Sequence, residues 1–299
     1  MNTIVLPDSG KLTTADLTRS IASLWGRFKP LWLLLPFALL FFLFQIAPML
    51  WIMVNSFIVD NLYSLENYQQ IFDSAFLLQS FVSSLWLAFW SSLVSLVIAL
   101  FFVSSLRHIQ SWMRDWVISF TNMTANFSGV PLAFAFIIIL GFNGALTLIL
   151  KQWGWIDDFN LYGQWGVLVI YVYFQVPLAT LLLYPAFDAI CNDWQDACAL
   201  LGAKKGQFWT QVGLPVLSPA ILGTFVILMA NAIGAYASVY ALTSGNYNVV
   251  TVRIASLVSG DIFLEPNLAA AISVLLMIIL AFITLINQCL IARSYHAKS

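Results

Sequence analysis

The chain has 299 residues, 61% of them hydrophobic and 8% charged, with a formal net charge of −1. Soluble domains carry about 25% charged residues, so a water-soluble fold is excluded, and so balanced a charge excludes nucleic acid as a partner. The three cysteines, Cys191, Cys198 and Cys289, show neither a disulfide framework nor zinc-ligand spacing.

Residues 1–30 are mostly polar and contain no short apolar region followed by a small-residue cleavage site, so the first span is expected to be retained. Leu17, Ile21, Leu24, Trp25 and Phe28 recur there at helical spacing, between Arg19, Ser20, Ser23 and Arg27. With Thr13 and Asp16 as a start signal, this predicts an amphipathic helix over 13–29 lying in the inner membrane interface. A frayed tail is the alternative.

Six stretches reach the roughly 20 apolar residues that a membrane helix needs: 31–57, 79–104, 116–141, 165–186, 217–242 and 267–292. With both termini in the cytoplasm, the inside segments hold Lys11, Arg19, Arg27, Lys29, Arg107, Arg114, Lys204, Lys205, Arg293 and Lys298. Only Lys151 and Arg253 fall outside, and this asymmetry sets the predicted orientation. The division is a cytoplasmic extension 1–30, a first span with its outer loop 31–78, a transmembrane domain 79–292 and a tail 293–299. The loop 187–216 is then cytoplasmic. The outer loops are too short to form a receptor, so substrate capture falls to another polypeptide.

No Asp, Glu, Lys, Arg or His lies in the middle of a predicted span. Ion-coupled transporters and pumps use such groups as relays or counter-ions, which disfavours that class. Intramembrane hydrolases need sets of catalytic side chains that are missing here, and His108 and His296 both sit at cytoplasmic ends. No Gly-x-x-x-x-Gly-Lys-Ser/Thr loop is present either, so the chain is expected to be neither an enzyme nor the binder of a cofactor.

Neutral polar residues do cluster within spans. Asn122, Thr124, Asn126, Ser128 and Gly129 precede Pro131; Tyr171, Tyr173 and Gln175 precede Pro177; Asn231, Gly234, Tyr236, Ser238 and Tyr240 form a third group. Such residues either glue packed helices or line a polar path where proline frees backbone carbonyls. The candidates for a path are Asn126, Ser128, Tyr171, Gln175, Asn231 and Tyr236.

The 187–216 loop begins with Asp188, Asp193 and Asp196, turns at Gly202, and continues through Lys204-Lys205 to Leu214-Pro215. Gly202 is placed to cap a first short helix, and 207–212 forms a second that Leu214-Pro215 would end. A helix–turn–helix of this shape suits docking into a groove on a cytoplasmic partner; a plain solvated loop is the alternative.

Asp196-Ala197-Cys198, Gly202, Val212 and Leu214-Pro215 resemble the signature cytoplasmic loop of binding-protein-dependent ABC importer permeases, Glu-Ala-Ala, three residues, Gly, nine residues, Ile-x-Leu-Pro. Asp replaces Glu, Cys replaces Ala and Val replaces Ile. Leu65-Glu66-Asn67-Tyr68 with Phe72, and Asn143-Gly144 followed by Lys151-Gln152-Trp153-Gly154, are also similar to segments of that family, and the similarity covers roughly 65–292. The resemblance implies an all-α integral membrane protein of the type I importer permease fold in a bacterial inner membrane. Its implied partners are a second permease subunit (a paralogue or a copy of this chain), two ATPase subunits that use ATP and Mg, and a periplasmic substrate-binding protein, all in a lipid bilayer. Asp196, Ala197, Cys198, Gly202, Val212, Leu214 and Pro215 would form the ATPase-coupling element. Ser128-Gly129-Val130-Pro131 is closest to the spermidine/putrescine permeases, with iron, sulfate, thiamine and phosphonate permeases sharing the architecture. An ion-coupled secondary transporter or channel is the alternative class.

Overall fold

The computed structural model describes residues 34–107, 109, 111–155, 159–259 and 264–296. The amphipathic helix expected over 13–29 lies outside the described residues, as does His108. The chain folds as two units, Met1–Val54 and Asn55–Ser299.

The first unit is carried by helix α1, Leu34–Asn55, whose 22 residues extend about 33 Å at 1.5 Å per residue. Its interior holds a π-turn at Phe42–Ile46, in which the Ala47 amide donates to the Phe42 carbonyl five residues back. Pro48 follows immediately. Proline lacks an N–H and crowds the carbonyl four residues before it; the wider turn relieves that crowding and keeps backbone groups paired where no water is available.

The second unit opens with a hairpin, β1 Ile58–Val59 against β2 Leu62–Tyr63, paired Ile58↔Tyr63 and Val59↔Leu62. Asp60 and Asn61 take φ of 49° and 64°, the positive values that a tight two-residue turn demands. Helix α2, Glu66–Asp73, is clamped beneath the hairpin. The Asn67 amide donates to the carbonyls of Ser56 (3.0 Å) and Ile58 (3.1 Å), and the Tyr68 hydroxyl donates to Ser56 Oγ (2.8 Å). The family-like Leu65–Tyr68 segment is therefore a structural clamp. Residues 66–73, grouped with the first span in the sequence division, pack on later helices of the second unit.

The long helix α3, Ala75–Leu106, is followed by α4, Ser111–Ala125, α5, Val130–Leu140, and α6, Ala145–Gln152. Next come α7, Gln164–Asp188, the short α8, Asn192–Leu200, and α9, Lys205–Phe208. A π-turn at Trp209–Gly213 leads from α9 into α10, Leu214–Gly234; α11, Ala237–Thr243, α12, Val250–Ser259, and α13, Pro266–His296, complete the unit. Among the described residues, six apolar stretches have membrane length: 34–55, 75–106, 130–152, 164–188, 206–234 and 266–289.

Two predicted spans need correction. The third, expected as continuous over 116–141, is broken at 126–129, and the membrane-length apolar stretch is Val130–Gln152, itself bent at 141–144. The fifth, expected over 217–242, starts earlier at Gly206 and breaks at Ala235-Tyr236. A window of apolar residues averages over a four-residue interruption, so both breaks are invisible to hydropathy.

The core runs along α7, which α3, α4 and α10 enclose. Leu87 and Ala88 of α3 meet Ile170, Tyr171 and Phe174 in one cluster; Leu96, Ala99 and Val103 meet Ala179, Leu183 and Phe187 in the next. Small residues allow the two helices to approach closely, because lipid supplies no hydrophobic drive and association depends on packing and hydrogen bonds.

Candidate functional site

Two features stand out: a surface lever at 191–215 and a polar cavity between broken helices.

In the lever, Cys191 is extended ahead of α8 and Asp193 lies in the first turn, where a carboxylate complements the helix dipole. The C-terminus closes as a Schellman motif. The Ala203 amide donates to the Cys198 carbonyl (3.0 Å) and the Gly202 amide to the Ala199 carbonyl (2.9 Å), with Gly202 at φ +81°. A Cβ at Gly202 would touch nothing within 4 Å, so the backbone angle alone calls for glycine. At the start of α9, Gln207 Oε1 accepts from the Lys204 amide (2.8 Å), half of a capping box. Phe208 is buried, and Trp209 lies against the rings of Phe187 (6.2 Å) and Phe208 (5.7 Å).

The sequence-predicted coupling residues divide by role. Asp196 and Ala197 are exposed on α8, and Gly202 makes the turn. Cys198 and Val212 are half-buried against the cluster around Phe187 and Phe208, so they hold the lever in place. Leu214-Pro215 does not end the second helix: α9 runs through the π-turn into α10, and the Leu214 amide donates to Trp209 O. The wider turn accommodates Pro215 as its counterpart accommodates Pro48. Gly213 is required by packing, since a Cβ there would lie 2.5 Å from the Trp209 ring. Leu200 and Leu201, 90% and 87% exposed, were missed as candidates. Two adjacent leucines ahead of a turning glycine in a polar loop were the available signal.

The cavity, about 500 Å³, lies where the breaks at 126–129 and 235–236 face each other. Ser128, Gly129, Asn231, Gly234 and Tyr236 line it, with Phe174 on the core side. Ser238 staples the breaks together: its Oγ accepts from the Gly129 amide (3.0 Å) and donates to the Gly129 carbonyl (3.3 Å). The Tyr171 hydroxyl donates to the Ala235 carbonyl (3.0 Å), satisfying the second break from within the core. Unwound backbone at membrane depth is tolerated where it is buried in protein or lines a cavity.

Of the six path candidates, Ser128, Asn231 and Tyr236 line the cavity and three do not. Asn126 is exposed and donates to the Asn122 carbonyl of its own helix (2.8 Å). Tyr171, 2% exposed, supports the break from behind. Gln175, fully buried, bridges α7 to α3 by donating to Ser91 Oγ (2.8 Å) and accepting from Ser92 Oγ (3.1 Å); it is interhelical glue. Gln175→Leu is therefore expected to lower stability by about 1 kcal/mol, read as a drop in melting temperature in detergent, without changing solute selectivity.

At the opposite end of the unit from the lever, Arg253 on α12 stands 4.9 Å over the Phe76 ring and donates to the Gly245 carbonyl (3.2 Å); burial pushes its guanidinium pKa down. Among the described residues no three His, Cys, Asp or Glu side chains are grouped to hold a metal.

Residues 95–295 match the family described as binding-protein-dependent transport system inner membrane component. The chain belongs to that family. A binding-protein-dependent permease is a membrane transport component, not an enzyme, and membership decides against the ion-coupled transporter and channel readings. The thiamine transport system permease protein ThiP of Escherichia coli (strain K12) is 25% identical over 205 residues, 69% of this chain and 38% of that protein. The ferric transport system permease protein FbpB of Actinobacillus pleuropneumoniae is 23% identical over 271 residues, 89% of this chain and 39% of that protein. The permease thus spans about two-fifths of the length of these relatives. It matches 88% of the sn-glycerol-3-phosphate transport system permease protein UgpA of Shigella flexneri, at 25% identity over 83% of this chain. Among solved structures, a chain of a bacterial ABC transporter importing the acidic polysaccharide alginate superposes with a TM-score of 0.74 at 18% identity. The match covers 91% of this permease and 99% of that chain, and establishes a shared fold.

Proposed function

We propose that this permease is a translocation and coupling subunit of an ATP-driven importer. It would work with a second permease subunit, two ATPase subunits and a periplasmic binding protein, its two termini and its 187–216 loop on the cytoplasmic side. The observation that carries this reading is the lever: a capped helix–turn–helix whose tip presents Leu200 and Leu201 to solvent. Exposed adjacent leucines would gain by burial in a partner's apolar groove, with Asp196 beside them as the electrostatic contact. Rigid closure of the ATPase pair would act on α8. The π-turn, buried Phe208 and Trp209 would pass that displacement into α10, whose far end forms the cavity wall at Asn231 and Gly234. The energy comes from nucleotide chemistry in the partner, and this chain supplies path and transmission.

The cavity suits a small polar solute that sheds water as it passes. The Ser128 hydroxyl, the Asn231 amide and the Tyr236 ring offer neutral dipoles and an aromatic face, which suit a polyamine of the spermidine/putrescine type. Relatives named for thiamine, ferric and sn-glycerol-3-phosphate transport make those solutes the competitors to include in the same assay. In vesicles reconstituted with the ATPase and binding protein, Asn231→Leu is expected to lower uptake at least about tenfold, the loss of one hydrogen bond to a charged solute. Basal ATPase activity would stay unchanged. Unaltered uptake in that variant would remove the cavity from the path, and failure of an ATPase subunit to co-purify would remove the coupling role.

A further inference from the structure

A second, smaller pocket of about 210 Å³ lies beside the root of the lever and shares no lining residue with the cavity. Arg107, Arg114, Asp188, Ile190 and Cys191 line it. Its walls come from three separate places: Arg107 caps the end of α3, Arg114 lies in the first turn of α4, and Asp188 to Cys191 join α7 to α8. Arg107 donates through Nη2 to the Ile190 carbonyl, which fixes its guanidinium at the pocket wall. Arg114 Nε is buried and has no hydrogen-bond partner among the described residues. Arg114 is only partly buried as a residue, so the unmet donor is its Nε. Two arginines and one aspartate are thus among the residues that line the pocket.

We infer that this pocket binds a phosphate-type oxyanion, presented either by the headgroup of an anionic inner-leaflet lipid or by a small soluble phosphate. Guanidinium forks match phosphate oxygens in pairs, and basic pockets between membrane helices on the cytoplasmic side hold anionic headgroups. The pocket's cytoplasmic placement rests on the orientation proposed above. A bound oxyanion would accept from Arg114 and lie against Cys191, the residue from which α8 starts, linking the α3–α4 corner to the lever.

The test uses the full chain, delipidated in detergent, with lipid adducts counted by native mass spectrometry. Phosphatidylglycerol is expected to bind at least about tenfold more tightly than phosphate-free diacylglycerol, and Arg114→Gln to abolish that preference. Cys191→Asp is the second variant. Aspartate is a favoured N-cap and would support α8, while its carboxylate at the pocket mouth would repel an anion, so the preference is expected to fall without loss of fold. Lys151→Gln, on α6, is expected to leave it unchanged. Displacement of phosphatidylglycerol by millimolar inorganic phosphate would support the site with a soluble ligand; resistance to displacement would support it with the lipid. Equal binding of the two lipids, or an undiminished preference in both pocket variants, overturns the proposal. The permease reading stands or falls separately, on capture of the ATPase.

Discussion

Gly202→Val is expected to abolish capture of the ATPase subunit and, with it, solute-stimulated ATP hydrolysis, while leaving the membrane bundle folded. Gly202 sits at φ +81° with open space around the position where a Cβ would stand, so the penalty is conformational, about 1–2 kcal/mol for a side-chain-bearing residue. That cost falls on a nine-residue helix at the surface, which can shed it by unwinding its last turn. Unwinding breaks the Ala203–Cys198 and Gly202–Ala199 bonds and disperses Leu200 and Leu201, the side chains that would enter the partner. Fully burying each leucine in a partner is worth about 1.5–3 kcal/mol, so their misplacement is worth more than tenfold in affinity. The bundle's melting temperature should shift by no more than about 4 °C, because the stress is local. Gly202→Asn supplies the control. Asparagine tolerates the left-handed region and should retain most of the capture, so equal failure of Asn and Val would mean that the presence of any side chain rather than the backbone angle matters at this turn.

The lever was legible in sequence because its determinants are local. A glycine after a short apolar turn, with acidic residues before it and lysines after it, predicts a capped helix and a reversal from neighbours alone, and the structure has both. Pro215 misled for the same reason: a proline normally ends a helix, and its relief by the π-turn depends on Trp209–Gly213 widening one turn earlier. The path residues were only half legible. Ser128, Asn231 and Tyr236 lie beside backbone breaks, and the prolines and glycines nearby signal such breaks. Gln175 looked similar, being one amide in an apolar helix, but its partners stand on α3 more than eighty residues away. Ser91, Ser92 and Ser95, fully buried on one stretch of α3, were the visible trace of that seam. Pairing it with α7 required the fold. In a chain that is 61% hydrophobic leucine is common, so the place of Leu200 and Leu201 ahead of Gly202 is a weak signal, and their exposure is what singles them out.

Gly129→Ala is expected to lower uptake by one to two orders of magnitude while leaving ATPase capture intact, the converse of the Gly202 variant. Gly129 has φ 75° and ψ −144°, close to a region that glycine almost alone occupies, and holding another residue there costs on the order of 1–3 kcal/mol. A Cβ would meet only Ala237 Cβ, at 3.7 Å, so there is no clash to be relieved by repacking; the backbone itself must turn. Turning it separates the Gly129 amide and carbonyl from Ser238 Oγ, which joins the residues beside the two breaks. In a membrane interior those groups would then need new partners, and Gly129 itself lines the cavity with Ser128, Asn231 and Tyr236, so they would be sought there. The cavity would narrow or fill, and uptake falls because the passage is altered, not because the energy supply is lost. Ser238→Ala removes the staple without touching the glycine and should reproduce part of the defect, at a stability cost of about 1–2 kcal/mol. Wild-type uptake in Gly129→Ala would show that the two breaks can separate without closing the path. Loss of ATPase capture in that variant would show instead that the breaks and the lever move as one body.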